Sequence, residues 1–284
     1  MNGKGVLELN RIGIGRTAEV FEIDNEKILK LFYDGISSES VTCEYAISEA
    51  LSRKIQNMPK VYELVSEGNR RGLVFQRIQG SHMARVMLKN PAAIPKLVLK
   101  FSLLHKSILA VDLQGETLDL ANATDVIERC RESHQLAEQE EDIVERFLTA
   151  SDTRQLCHGD FHPENVLVDS DGTLWIIDWI TAVLCNRMFD IARTYYLLRY
   201  ARSPEKKPFL VRALERIACT YISRAYYRNM ITSREDKKMF TCFFFVMLLL
   251  RTGEGIPEEQ GTLARLIRTK KKKALKEMER YLKI

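Results

Sequence analysis

The sequence predicts an α+β protein, with a small antiparallel β-rich lobe over residues 1–80 and a larger, mostly helical lobe over residues 81–284. Three observations carry this. Before residue 80, apolar residues come in short runs at strand spacing, separated by turn signals such as Asp24-Asn25 and Gly68-Asn69. After it, they recur at three- and four-residue intervals over long stretches, as on amphipathic helices. The 284 residues are 45% hydrophobic and 29% charged, which excludes disorder, collagen and coiled coil as whole-chain descriptions.

Taken in order, the strands are expected at Ile12–Ile14, Glu19–Ile23, Lys27–Phe32, Lys60–Val65 and Leu73–Ile78. One helix interrupts them over Val41–Ile55, with Ala46, Ile47, Ala50, Leu51 and Ile55 on its apolar stripe. The helical part reads as Lys96–Ala110, Ala123–Ala137, Ile143–Ala150, Phe189–Tyr200, Phe209–Asn229 and Arg234–Leu250, with a terminal helix from Arg268. A hairpin breaks it: Val166–Val168 and Thr173–Ile177 flank Asp169-Ser170-Asp171-Gly172, whose Asp-Gly signals a tight turn. Pairing across that turn sets Val168 opposite Thr173 and Asn165 opposite Ile176, so Asn165 and Asp178 emerge at the same end. A junction between two such lobes is a natural ligand site.

The chain's composition narrows the function. Residues 1–180 carry 20 Lys+Arg against 28 Asp+Glu, and residues 181–284 carry 23 against 10. The basic run Arg268-Thr269-Lys270-Lys271-Lys272-Lys273 reads as a solvated helix face, because no nucleic-acid motif accompanies it. Phe240–Leu250, the longest apolar run, is about half of what spans a bilayer, so a buried helix is expected and no membrane span. The first residues show no secretory pattern. Six scattered cysteines without a CxxC pair fit reduced thiols in a cytoplasmic protein.

Asp160, Asn165 and Asp178 are the first candidates for chemistry. Asp160 precedes Asn165 by five residues in His158-Gly159-Asp160-Phe161-His162-Pro163-Glu164-Asn165, and Asp178 ends the second hairpin strand. Two carboxylates and a carboxamide therefore converge, and hard oxygen donors suit magnesium. Ile12-Gly13-Ile14-Gly15-Arg16-Thr17-Ala18-Glu19-Val20 is a glycine-rich turn whose backbone could approach phosphates; a plain hairpin turn explains it as well. It is neither a Walker A loop nor a Rossmann fingerprint. Lys30 sits in the apolar strand Ile28-Leu29-Lys30-Leu31-Phe32, and an ion pair with Glu44 or Glu49 of the next helix would aim its ammonium at a nucleotide's phosphates. The strand ending Phe75-Gln76-Arg77-Ile78 offers backbone at Gln76 and Ile78 to an adenine edge.

On these residues, together with Phe189-Asp190-Ile191-Ala192, the chain resembles the aminoglycoside phosphotransferase and choline kinase superfamily, whose fold is that of the protein kinases. The resemblance spans nearly the whole chain. It implies nucleotide binding by the loop at Ile12, Gly13, Gly15, Thr17 and Val20 and by the hinge at Phe75, Gln76 and Ile78. It also implies Lys30 on the α/β-phosphates oriented by Glu44, Asp160 as catalytic base, Asn165 and Asp178 on Mg2+, and Asp190 bracing the catalytic loop. ATP, with GTP as the other option, is the implied donor, and a small-molecule hydroxyl the acceptor. Cys185-Asn186-Arg187 departs from a more usual Gly-Asp-Pro. His158-Gly159-Asp160 lacks the Arg of protein kinases, and Trp179-Ile180 follows Asp178 where they have Phe-Gly, so a small-molecule kinase is expected. An inactive nucleotide-binding regulator and a protein-modifying kinase are the alternatives. Trp179, Tyr195, Tyr196, Tyr200, Tyr226 and Tyr227 are candidates for a cation–π site toward an amine acceptor, Tyr195 and Tyr196 especially as pocket lining.

Overall fold

The computed structural model describes residues 9–114, 118–201 and 208–283. Close contacts divide them into two compact units, one reaching Val86 and including Pro163–Thr181, the other holding Met87–Leu113, Leu120–His162 and the chain from Ala182 onward.

The first unit is built on a five-stranded antiparallel sheet in the order β1-β2-β3-β5-β4. Its strands are β1 (Asn10–Ile14), β2 (Ala18–Glu22), β3 (Lys27–Phe32), β4 (Val61–Glu67) and β5 (Arg70–Gln76). Alternation along β3 sorts its side chains into two layers. Leu29 and Leu31 pack with Phe21 and Val74 on one face, while Phe32 packs with Ala18, Val41 and Leu73 on the other. Lys30 shares the second face, the one α1 (Ser38–Lys54) covers. The Ser37 hydroxyl caps α1 by accepting the Ser40 N–H at 3.1 Å. The buried stripe of α1 is Val41, Glu44, Ile47, Ser48, Ala50 and Leu51, and Ala46, expected on it, is exposed. The stripe turns toward Glu44 because that carboxylate has a partner inside the unit.

β5 stops at Gln76, two residues before the expected end. There the Gln76 N–H donates to the Lys60 carbonyl at 2.8 Å and the Arg77 N–H to Glu26 at 2.7 Å, leaving the ladder. β6 (Gly80–His82), not anticipated from the sequence, joins β8 (Val166–Asp169) and β9 (Leu174–Ile176) in a three-stranded sheet ordered β6-β8-β9. The hairpin register differs by one residue from expectation. Val168 faces Leu174 and Val166 faces Ile176, because Asp169 and Thr173 pair across a three-residue loop closed by Gly172 at φ 74°. Asp169 Oδ1 accepts the N–H groups of Asp171 and Thr173 and stabilises that longer loop.

The second unit is helical. After α2 (Met83–Lys89), within which the division between units falls, come α3 (Ile94–Leu109), α4 (Ala123–Glu132), α5 (Glu138–Ser151), α6 (Arg187–Tyr200), α7 (Phe209–Met230), α8 (Arg234–Gly253) and α9 (Gln260–Tyr281). The only strands among its described residues, β7 (Gln155–Cys157) and β10 (Val183–Cys185), pair antiparallel. α4 ends five residues earlier than expected, before His134 takes a left-handed φ of 51°. α5 begins at Glu138, where the Glu140 carboxylate turns back to accept the Ala137 N–H. α9 starts eight residues before Arg268 because Leu263, Leu266 and Ile267 extend its buried face. In α8 the run Phe240–Leu250 is buried, Thr241 partly, and among the described residues no helix is long and apolar enough to cross a membrane.

Candidate active site

In the first unit, cross-strand register puts Gly13, Val20, Lys30 and Leu73 in one row across β1, β2, β3 and β5. The turn before β2 is closed by the Gly15 N–H donating to the Ala18 carbonyl at 2.8 Å, and the Thr17 carbonyl accepts the Tyr33 N–H at 2.9 Å. Ile12 is exposed, Phe75 lies opposite Ile28 and Val61, and Ile78 lies past the end of β5.

Lys30 Nζ donates to Glu44 Oε1 at 2.6 Å and to Asp178 Oδ1 at 3.0 Å. Burial alone would favour the neutral amine, but the two carboxylates outweigh it and hold the Lys30 pKa above its ordinary value. Of the two candidate partners, Glu44 is 1% exposed and makes the pair, while Glu49 is exposed and pairs with Arg53 at 3.7 Å. Asp178 has a left-handed φ of 67°, a conformation that costs free energy and collects at functional turns. The Ile177 N–H donates to the Asn165 carbonyl at 3.0 Å, so Asn165 and Asp178 stand at one end of the β8–β9 hairpin.

In the second unit, β7 runs into His158-Gly159-Asp160, and Asp190 of α6 fixes that loop. Its Oδ2 accepts the His158 N–H at 2.6 Å, and its Oδ1 accepts the Gly159 N–H at 3.0 Å. Oδ2 also meets His105 Nε2 at 3.1 Å, and His105 Nδ1 meets the Tyr226 hydroxyl at 2.6 Å. Burial pushes the Asp190 carboxyl up, but His105 and the other partners outweigh burial and hold it below the usual carboxylate range. Phe161 stacks on Phe101 and on His105, with ring centroids 4.3 and 4.2 Å apart.

Asp160 itself is partly exposed. His162 Nε2 lies 3.3 Å from its Oδ2 and Arg193 Nη2 lies 3.6 Å from its Oδ1. Burial favours its neutral form, but the His162 hydrogen bond and the charges of His162 and Arg193 prevail and hold it well below the carboxylate range. Thus Lys30, Glu44 and Asp178 come together in one unit, with Asn165 at the end of the adjoining strand, and Asp160 belongs to the other. His105 and Arg193 were not singled out from sequence as parts of the loop's support. The signal for His105 was a polar residue on the apolar stripe of α3, one turn from Phe101.

Trp179, Tyr196 and Tyr226 are buried and do not line an open pocket. Tyr195 instead makes edge contacts with Tyr200, Tyr227, Phe240 and Phe244.

This arrangement belongs to a recognisable class. The profile of the phosphotransferase enzyme family matches residues 8–226, and the chain belongs to that family. A comparison with curated protein sequences finds no match. Among solved structures, the chain is similar to an aminoglycoside 2′-phosphotransferase mutant in its GDP complex, with 14% identity, a TM-score of 0.58, and coverage of 93% of this chain and 91% of that one. It is similar to choline kinase LicA from Streptococcus pneumoniae at 17% identity and TM-score 0.52, covering 98% and 95%. It also resembles a Plasmodium vivax ethanolamine kinase at 13% identity and TM-score 0.53, covering 93% and 83%. At these identities the likeness is one of fold, and that fold is the kinase-like α+β architecture. The family makes the chain a phosphotransferase-type protein, and the neighbours show its fold.

Proposed function

We propose that the protein moves the γ-phosphate of ATP, or of GTP, to a hydroxyl of a small molecule. The observation that carries this reading is Lys30 bonded at once to the buried Glu44 and to Asp178, two residues past β9. An ammonium fixed between two carboxylates keeps its charge and its position, which is what a group that grips phosphate oxygens needs.

Asn165 and Asp178 fit a magnesium ion by donor chemistry: both offer hard oxygens, and Asp178 is 38% exposed with Lys30 on one oxygen. Among the described residues no cluster of three or more His, Cys, Asp and Glu could hold a metal alone. The remaining positions of a magnesium ion held by Asn165 and Asp178 would be filled by nucleotide phosphates and water. When bound it would neutralise charge on the transferred group. In phosphoryl transfer the transition state is loose, so positioning and electrostatics supply most of the rate. In this reading the loop at Gly13, Gly15 and Thr17 covers the phosphates, backbone around Gln76 and Ile78 receives the base, and Lys30 holds the α/β-phosphates. Asp160, ionised throughout the neutral range, orients the acceptor hydroxyl and takes its proton. The burial of Trp179, Tyr196 and Tyr226 argues against an aromatic cage for a quaternary amine, and the basic half of the chain argues against a polycationic acceptor.

The test is nucleotide consumption with ATP and with GTP across amino alcohols, aminoglycosides, macrolides, sugars and nucleosides. Asp160→Asn should lower turnover about 10²–10⁴-fold with nucleotide affinity nearly unchanged. Asp178→Ala should remove the magnesium-dependent tightening of ATP binding seen by calorimetry. Nucleotide binding without turnover on any acceptor would replace this reading by a nucleotide-binding regulator. Transfer to protein alone would replace it by a protein-modifying kinase.

A further inference from the structure

Behind Asp160 runs a chain of alternating charges that lies wholly in the second unit. Arg193, on α6, places Nη2 3.6 Å from Asp160 Oδ1 and Nη1 2.6 Å from Glu254 Oε1. Glu254, which follows the last residue of α8, also pairs through Oε2 with Arg251. Arg251 grips Glu259 with two bonds, Nε to Oε2 at 2.8 Å and Nη2 to Oε1 at 2.9 Å. The Tyr196 hydroxyl, one turn along α6 from Arg193, donates to the same Glu259 at 2.9 Å. Arg251, Glu259 and Tyr196 are each at most 5% exposed, so this end of the chain is anchored in the core.

Arg193 differs from Arg251 in how it is used. Arg251 makes the bidentate pair that a guanidinium makes for stability. Arg193 instead divides its two terminal nitrogens between two carboxylates, and its buried Nε has no hydrogen-bond partner. A core position chosen for packing alone would be filled more favourably by a methionine or leucine, because a buried N–H without a partner is costly. What the arginine adds is a positive charge at one oxygen of Asp160, opposite the His162 ring at the other.

The geometry points to Arg193, held by Glu254, as a positioning residue that sets the orientation of the Asp160 carboxylate for proton transfer from the acceptor. This rests on the reading of Asp160 as the group that takes that proton. A carboxylate on a loop has rotational freedom about two side-chain bonds, and a misplacement of about 1 Å costs on the order of 10²-fold in rate. Arg193 removes that freedom from one side of the carboxylate, at Oδ1.

The experiment uses the full chain with magnesium-ATP and water as the acceptor, and repeats with any hydroxyl acceptor found in the screen. Arg193→Met should lower kcat about 10- to 100-fold with the KM for ATP within about twofold. Arg193→Lys, which keeps the charge, should recover most of the loss, and Glu254→Gln should lose about fivefold with a full-length guanidinium still present. Thermal unfolding of each variant fixes the folded fraction, so rates are compared per folded molecule. In an Asp160→Asn background, Arg193→Met should cost nothing further, because both changes remove one device. Parent-like kcat in folded Arg193→Met or in Glu254→Gln, or a full additional loss in the Asp160→Asn background, would overturn the positioning role. Undiminished turnover by Asp160→Asn alone would overturn the proton-acceptor reading itself, and with it this one.

Discussion

Single side chains in this protein are legible as chemistry only when their partners are known. Asp190 could be recognised as a bracing residue by resemblance, but its three partners come from α3 and from the loop after β7. Replacing it by Asn presents an amide donor to N–H groups that are themselves donors. We expect Asp190→Asn to cost about 1–3 kcal/mol for each buried donor left unpaired. That lowers Tm by roughly 2–4 °C per kcal/mol in a chain of this size, measured by scanning calorimetry. The pH dependence follows from the depressed pKa of Asp190. Its stabilisation is complete above the unfolded-chain value, about 3.9, and is lost as pH falls through the lower folded value. The parent should therefore lose stability steeply below about pH 4, and Asp190→Asn more shallowly; equal slopes would exclude Asp190 as the group responsible.

At the scale of elements, strand and helix identities followed the apolar periods well. β3 was read to its end residues, and α7 to within one. Errors fell where a local pattern was overruled by a contact from elsewhere. The α1 stripe turned because Glu44 is buried against Lys30, and β8–β9 shifted because Asp169 supports a longer loop. β6 escaped notice because three residues carry too little periodicity, yet its pairing is sterically exact at one point: a Cβ on Gly80 would lie 2.6 Å from the Val168 carbonyl oxygen. Gly80→Ala should therefore destabilise by about 1–3 kcal/mol, read as a lower urea midpoint. Gly253→Ala, at the end of α8 with nothing within 4 Å of its Cβ, should be neutral or slightly stabilising. At the other end of α8, the Ser233 hydroxyl accepts the Asp236 N–H at 2.9 Å and the Asp236 carboxylate accepts the Ser233 N–H at 3.1 Å. Ser233→Ala should cost about 1 kcal/mol in the same measurement.

For the whole molecule, the six cysteines report on the packing of both units. None of them forms a disulfide; Cys130, Cys157, Cys185 and Cys242 are buried, Cys43 and Cys219 only partly. Burial pushes the thiols of Cys130, Cys185 and Cys242 up to about 12, where thiolate is scarce at neutral pH. A thiol reagent at pH 7.5 should thus modify at most two cysteines quickly in the native protein and all six after denaturation. Rapid modification of four or more in the native state would show that the helical core is looser than described.

By itself the sequence determined the kinds and order of the longer elements, and the chemical groups on hand: His158-Gly159-Asp160, Asn165, Asp178 and a lysine in an apolar strand. It could do so because period and turn chemistry are properties of neighbouring residues. Only the tertiary structure decided that Asp178 joins Lys30 and Glu44 across 148 residues of chain, and that Asp160 is backed by Arg193 and Glu254. Those choices depend on which faces of distant elements are packed together. An isolated period shows which residues share a face, and the burial of charge against charge in the folded core decides which of them meet.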